Sequence, residues 1–191
     1  MRHLLGALIG KPHTCPWWFC YTFDNPLRRL VHDPAAILAG LVSPGDTAVD
    51  AGCGMGFFSL GLARLVGPGG RVIAIDLQAE TLRRASRRAR RRGLAGVIEF
   101  RRCTPERLGL TETVDFALAF WMAHEVASLD SFFVEMRGAL RAGGRLLIAE
   151  PLGHVTAARF EGTLAVARAG GFDVTPGPRV RFSRSAVCTR R

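Results

Sequence analysis

A sheet of parallel strands alternating with helices is the fold this sequence predicts, and three observations carry that prediction. Short apolar runs rich in Val and Ile recur with helix-length segments between them: Thr47–Ala51, Arg71–Asp76, Val97–Arg102, Val114–Phe120 and Arg145–Glu150. Strands that alternate with helices imply right-handed crossovers and parallel neighbours. The first run ends in an acid, Asp50, and passes into three glycines at alternate positions, Gly52, Gly54 and Gly56. The second run ends in another acid, Asp76, 20 positions beyond Gly56.

Taken in order, the chain opens with an extension, residues 1–45, that precedes the sheet and is expected to form a lid; residues 46–191 are expected to be a single globular domain. Within the extension, Asp24-Asn25-Pro26 reads as an N-cap and first turn of a short helix through Leu30. Asp33-Pro34 repeats the device and starts a second helix with Ile37, Leu38 and Leu41 on one face. Ser43-Pro44-Gly45-Asp46 turns the chain into the first strand. Helices are expected over Phe57–Val66, Ala79–Arg92 and Ser131–Leu140, with a short helical segment after Trp121. Gly143-Gly144 turn the chain into the fifth strand, which ends in Glu150. Beyond Pro151, Ala157–Ala169 is helical, Gly170-Gly171 stops it, and Phe172–Val174 and Val180–Thr189 read as a closing pair of strands.

Length and composition bound the class. A chain of 191 residues suffices for one α/β domain with a full core and is short for two. Hydrophobic content of 48% and charged content of 22% are ordinary for a water-soluble domain. No apolar run approaches the roughly 18 residues of a membrane helix. Leu4–Ile9 behind Arg2 is too short for a signal peptide and lacks a small-residue cleavage site, so a cytoplasmic setting is expected. The five cysteines, Cys15, Cys20, Cys53, Cys103 and Cys188, are odd in number and irregularly spaced, which argues against a disulfide framework.

A net charge of +10 invites a nucleic-acid reading. Its distribution weakens that reading: Arg83, Arg84, Arg87, Arg88, Arg90, Arg91 and Arg92 fall on one expected helix, which flanks the sheet away from its ligand edge. A solvated basic face is the simpler account of such a run.

The glycine loop is where the chemistry concentrates. A strand that stops at glycines and enters a helix leaves bare backbone and helix N-terminal amides against which a ligand can lie. A dinucleotide fingerprint needs G-x-G-x-x-G, and its third glycine slot is filled here by bulky Phe57, which can also be plain core packing. The loop is instead D-x-G-x-G-x-G. With Asp76 on the next strand, Asp115 opening the fourth and Leu140–Pro151 as turn and fifth strand, it resembles the class I S-adenosylmethionine-dependent methyltransferases, in particular a type 11/25-like small-molecule group. The resemblance runs from Thr47 to the C-terminus. It implies a Rossmann-like, seven-stranded sheet of order 3-2-1-4-5-7-6, with the last strand antiparallel, flanked by helices, and S-adenosylmethionine as cofactor.

By that resemblance Asp50, Gly52, Gly54 and Gly56 line the methionine part of the cofactor and Asp76 holds its ribose. Leu77 and Gln78 meet the adenine ring, with Thr104 where the family usually offers an Asp. Phe120 and Trp121 end the fourth strand beside the methionine ammonium. Methyl transfer is an in-line displacement, helped chiefly by holding the nucleophile against the methyl in a dry pocket. A base is needed only when the nucleophile carries a proton. His124 is a candidate base, since histidine is the side chain that titrates near neutrality; it can equally orient Glu125 or pack on the cofactor. Glu150 and His154, after the fifth strand, are expected to face the same cavity.

Missing motifs narrow the acceptor. No Asn-Pro-Pro-aromatic or Pro-Cys sequence follows the fourth strand, which argues against adenine-N6, glutamine-amide and cytosine-C5 chemistry. A small-molecule acceptor is favoured; an RNA or protein acceptor docking through Arg83–Arg92 is the alternative. Cys15, Trp17, Trp18, Cys20 and Tyr21 form an aromatic and thiol-rich stretch expected to roof the substrate. The Cys15–Cys20 spacing near His13 admits a soft ion, a redox thiol or packing, but the second pair of a structural zinc site is missing. No metal is expected.

Overall fold

The computed structural model describes residues 28–191. The lid stretch Cys15, Trp17, Trp18, Cys20 and Tyr21, and the N-cap at Asp24, lie outside the described residues. The chain runs α1 (Arg28–Val31), α2 (Pro34–Leu38), β1 (Thr47–Ala51), α3 (Phe57–Val66), β2 (Arg71–Asp76), α4 (Ala79–Arg91), β3 (Ile98–Arg102) and β4 (Val114–Phe120). A single 3₁₀ turn (Ala123–Glu125) follows, then α5 (Leu129–Ala139), β5 (Leu140–Pro151), α6 (Ala157–Ala169), β6 (Phe172–Pro176) and β7 (Ser183–Arg190).

The strands form one sheet of order β3-β2-β1-β4-β5-β7-β6. All neighbours are parallel except β7, which runs antiparallel to both β5 and β6. This is the topology the resemblance implied. The order reverses between β1 and β4, so their carboxyl ends part and leave a crevice, the usual ligand position in open α/β sheets.

Each strand feeds two cores because alternate residues face opposite sides. Val49, Ala51, Ile73, Ile75, Ala117 and Ile148 pack with Phe132 and Phe133 of α5 and Phe160 and Leu164 of α6. Ala48, Val72, Ala74, Phe116, Leu118 and Leu147 pack on the other side with Ile37 and Leu38 of α2, Leu60 and Leu62 of α3, and Leu82 of α4. Helices on both faces are why the central strands read as continuous apolar runs. The α2 helix is part of this core: Asp33 caps it by accepting from the Ala35 amide, and a Cβ on Gly61 of α3 would lie 2.4 Å from Pro34 Cβ.

Several boundaries differ from the sequence expectation, each for a local reason. Helix α5 starts at Leu129 rather than Ser131 because Ser128 takes the cap, its hydroxyl accepting from the Ser131 amide. Strand β5 starts at Leu140 rather than Arg145, since Leu140 already pairs with Val114 before the register shifts at the glycine turn. Strand β7 begins at Ser183 rather than Val180 because Phe182 turns the chain at φ 57°. Strand β3 begins at Ile98, one residue late.

Candidate active site

The glycine loop closes the carboxyl end of β1. Gly52, Gly54 and Gly56 all take left-handed φ, at 71°, 52° and 79°. Space also demands glycine at two of them. A Cβ on Gly52 would lie 2.8 Å from Met122 Cβ, and one on Gly56 would lie 3.0 Å from Ala85 Cβ of α4. At Gly54 a Cβ would meet no atom of the described residues within 4 Å, so among them the loop is open at its middle. Backbone bonds fasten the loop to the sheet, from the Cys53 amide to the Ile75 carbonyl (2.9 Å) and from the Gly56 amide to the Cys53 carbonyl (2.9 Å).

Two buried acids brace it. Asp76 accepts from the Gly54 amide (2.8 Å), the Gln78 amide (2.8 Å) and the Thr81 hydroxyl (3.0 Å). The Leu77 amide acts on the same carboxylate, so four donors from the loop and its flanks surround Asp76. Burial raises its pKa, and the four donors restrain the rise. Asp50 is 2% exposed and accepts the Ser59 hydroxyl at 2.6 Å. Burial pushes it up to about 6, against the pull of Ser59 and of the Arg28 charge.

Beyond Asp76 the ends of β2 and β3 enclose a cleft of about 690 Å³, lined by Leu77, Gln78, Arg102, Cys103, Thr104 and Pro105. The three expected adenine contacts, Leu77, Gln78 and Thr104, thus meet in one place. Thr104 is engaged in a turn, its hydroxyl accepting from the Arg107 amide (3.2 Å) and its amide donating to the Arg107 carbonyl (3.0 Å). Arg102 closes one wall by donating to the Leu77 carbonyl at 3.1 Å. Burial pushes the Cys103 thiol up to about 11 and raises Cys53 as well, so both are poor nucleophiles.

On the other side of the crevice β4 ends in an aromatic wall. Phe120 is buried, and Trp121 sits at φ 58° with its indole N–H on the Ser183 hydroxyl (2.9 Å) and its amide on the Ala149 carbonyl (2.8 Å). His32, behind α1, meets Phe120 and Trp121 edge-on, each at 5.2 Å between ring centroids. Its Nε2 lies 2.8 Å from the Arg181 carbonyl, and burial lowers its pKa. The Arg28 guanidinium lies over the Phe57 ring at 4.5 Å. Neither His32 nor Arg28 stands out in the sequence, since nothing local marks a residue that reaches the site from α1.

The loops after β4 and β5 bring His124, Glu150 and His154 together. Glu150 accepts twice from the same residue: its Oε1 takes the His124 amide (3.1 Å) and its Oε2 lies 2.5 Å from His124 Nδ1. The His154 ring crosses that of His124 edge-on at 4.8 Å. Arg159 holds the same turn by donating to the His124 carbonyl at 2.9 Å. Glu150 is 1% exposed, and its carboxylate meets His124. An Nδ1–H given to Glu150 leaves Nε2 with the lone pair a base requires.

The basic helix is partly occupied by structural work. Arg83 and Arg84 pair with Glu80 at 2.5 and 2.8 Å. Arg88 donates to the Met55 carbonyl at 2.8 Å, inside the glycine loop. The sequence reading missed this brace, along with Ser59, Thr81, Ala85 and Met122. A sequence signal existed only for Ser59, which falls on the first turn of the helix that the glycines start.

Residues 42–168 match the model of a family described as methyltransferase domain, and the chain belongs to that family. Among curated proteins, the ubiquinone/menaquinone biosynthesis C-methyltransferase UbiE of Cellvibrio japonicus is 35% identical over 115 residues, covering 60% of this chain and 46% of that protein. An uncharacterized 37.1 kDa protein in transposon TN4556 of Streptomyces fradiae is 36% identical over 109 residues, covering 56% of this chain and 31% of that protein. The chain thus spans less than half the length of these curated relatives. A solved structure of a SAM-dependent methyltransferase from Aquifex aeolicus shares the fold, with a TM-score of 0.83 at 23% identity over 93% of this chain and 100% of the other. A SAM-dependent O-methyltransferase from Thermotoga maritima aligns with a TM-score of 0.66 at 25% identity, over 83% of this chain and 64% of the other.

Proposed function

We propose that this member of the methyltransferase domain family transfers a methyl group from S-adenosylmethionine to a small-molecule acceptor that surrenders a proton to His124. The residues fit the cofactor on their own chemistry. Gly54 leaves open backbone at the middle of the loop, Asp76 sets a carboxylate beside it, and the Leu77–Pro105 cleft has room for a planar base. S-adenosylmethionine supplies a methyl on sulfonium, already a good leaving group. What the protein must add is alignment, exclusion of water and, for a protonated acceptor, a base.

The observation that carries the acceptor reading is the pair of hydrogen bonds between His124, through its amide and its Nδ1, and the Glu150 carboxylate. A buried carboxylate that fixes both ring and backbone of one histidine sets its tautomer and orientation, a device that suits proton abstraction. A phenol or quinol fits this chemistry: loss of the O–H proton makes the oxygen, or a ring carbon conjugated with it, nucleophilic. The name of the Cellvibrio relative favours the ring carbon. The reaction is assigned to the cytoplasm; among the described residues no helix is long and apolar enough to cross a membrane. Residues 1–45 are read as the lid over the acceptor.

The test pairs calorimetry with S-adenosylhomocysteine and a turnover screen of phenols, quinols and thiols. His124→Ala is expected to slow turnover of a protonated acceptor by roughly 10²- to 10⁴-fold while cofactor affinity stays within twofold. Unchanged turnover removes His124 as the base.

A further inference from the structure

Two of the four large apolar side chains left exposed among the described residues, Leu152 and Phe182, stand across from each other at the carboxyl edge of the sheet. The pairing of β5 with β7 ends where Pro151 meets Ser183, and one step further the Leu152 amide donates to the Phe182 carbonyl at 2.9 Å. Leu152 is 48% and Phe182 58% exposed. The Phe182 backbone also sits at φ 57°, a left-handed conformation that glycine or asparagine would hold with less strain. A bulky ring kept both in solvent and in a costly backbone well weakens the fold twice over, and such outliers cluster where function retains them. The Arg181 guanidinium lies over that ring, 5.3 Å from its centroid. The loops that carry the pair, residues 151–156 and 177–184, contain Arg179, Arg181 and Arg184 and no acid. Arg179 and Arg181 are exposed, Arg184 is half-buried and donates to the Val155 carbonyl, and exposed Arg159 adds a fourth cation beside them. The nearest acids face the other way: Glu150 is buried on His124, and Glu125 lies 3.8 Å from His124 Nε2.

We infer that this patch docks the protein reversibly on an anionic lipid surface. Apolar side chains enter the boundary between headgroups and acyl chains while flanking arginines meet lipid phosphates, the two signals by which a peripheral protein holds to a bilayer. A nucleic acid would use the arginines and leave Leu152 without a role. A protein partner with an apolar face would use Leu152 and Phe182 without calling for four cations of one sign. Two apolar side chains and a few cations are too little for permanent attachment, so the contact comes and goes. The turn that holds Leu152 also holds His154, whose ring crosses that of His124. Docking therefore turns the His124 edge toward the bilayer, where an apolar acceptor would be dissolved. That consequence rests on the acceptor reading above; the docking does not.

Vesicle flotation of the full chain tests the docking. Wild-type protein is expected to bind phosphatidylcholine vesicles that contain about a third phosphatidylglycerol, and to bind pure phosphatidylcholine at least roughly tenfold more weakly. Phe182→Asn keeps a residue that tolerates the left-handed turn and should weaken binding to the anionic vesicles roughly tenfold, with Leu152→Ser adding a similar loss. Arg179→Ala together with Arg181→Ala should weaken it roughly 25-fold, about fivefold for each cation. The urea midpoint of Phe182→Asn is expected to stay level or rise, because strain is relieved and no buried contact is lost. Wild-type protein that binds neither vesicle, or both alike, overturns the proposal. Binding that survives Phe182→Asn and Leu152→Ser but is lost with Arg83→Ala, Arg87→Ala and Arg91→Ala overturns it by moving the contact to α4. A lowered midpoint in Phe182→Asn means that the rest of the chain covers the ring, and a mass that halves in Leu152→Ser means that a second copy does; either result overturns the lipid assignment. Polyuridylate binding that needs the arginines and ignores Phe182→Asn overturns it in favour of a nucleic acid. Calorimetry and turnover without vesicles are unaffected by any of these results, so failure here leaves the cofactor and acceptor readings standing.

Discussion

The two sides of the carboxyl edge are made differently. Around the glycine loop, backbone does the work: three left-handed glycines, amides bonded into the sheet, and two buried acids whose oxygens go mostly to amides and hydroxyls of the loop and its flanking helices. Around His124 the same edge is made of side chains on short loops, held by one buried glutamate and one arginine. A site fixed by backbone suits a ligand that never changes. Side chains on loops suit the half of the reaction that differs between relatives, since exchanging them leaves the sheet intact.

The largest effects should come from breaking the backbone side. Gly52→Val puts a branched side chain into Met122 at a left-handed φ and is expected to lose more than about 3 kcal/mol of stability, read by urea unfolding. Gly54→Ala is the sharper probe, because among the described residues its Cβ meets no atom within 4 Å. It should cost only about 1 kcal/mol of stability for the strained φ, yet weaken S-adenosylhomocysteine more than tenfold. A Gly54→Ala protein with full affinity would mean that the open face of the loop is not where the cofactor lies.

The same contrast explains what the sequence revealed. The backbone side was legible because composition records it: an apolar run needs a strand, an acid ends it, and glycines mark positive φ. Thr47–Ala51, Phe57–Val66 and Arg71–Asp76 accordingly emerge at their expected limits. The His124 side was legible only as a set of names. His124 and Glu150 lie 26 residues apart, and no pattern in either segment encodes that one carboxylate binds both ring and amide of the other. Arg28 was not legible at all. Its inward direction depends on which face of a four-residue helix meets the sheet, and its own neighbours in sequence, with Leu30 exposed, suggest the opposite. Boundaries moved where one side chain or one φ decided them, as with the Ser128 cap and Phe182.

A middle-sized effect tests the electrostatics of the backbone side. Asp50 has its pKa raised by burial from an ordinary 3.8 to about 6, so the folded protein binds its proton more tightly than the unfolded chain. Its contribution to stability is fully present below pH 3.8 and is lost as pH rises through about 6. The displacement amounts to about 3 kcal/mol. Asp76 and the paired acids Glu99, Glu112 and Asp115 add slopes of their own, the last three of opposite sign because their pKa values are lowered. The difference between Asp50→Asn and wild type isolates the one group. Measured by urea unfolding from pH 4 to 8, the variant should gain on the wild type by up to about 3 kcal/mol. A difference that stays flat across that range would mean that Asp50 is better solvated than its burial implies.

The smallest effects belong to the arginine face of α4, and they decide whether the basic surface takes part in function. Arg83 is mostly solvent-exposed and pairs with Glu80 one turn away, so Arg83→Ala should cost less than about 0.5 kcal/mol. Arg88 is the counterexample on the same helix. It reaches the Met55 carbonyl inside the glycine loop, and Arg88→Met should weaken S-adenosylhomocysteine by a few fold through a looser loop, with stability lowered by about 1 kcal/mol. A small-molecule enzyme should also keep its acceptor affinity between 50 and 200 mM salt, whereas a protein that grips six or more phosphates loses roughly 10³-fold or more over that interval. Steep salt dependence abolished by Arg83→Ala together with Arg87→Ala and Arg91→Ala would move the acceptor from a small molecule to a polyanion. Flat salt dependence, with only Arg88 mattering, leaves α4 as the buttress of the cofactor loop and its outer charges as a solvated face.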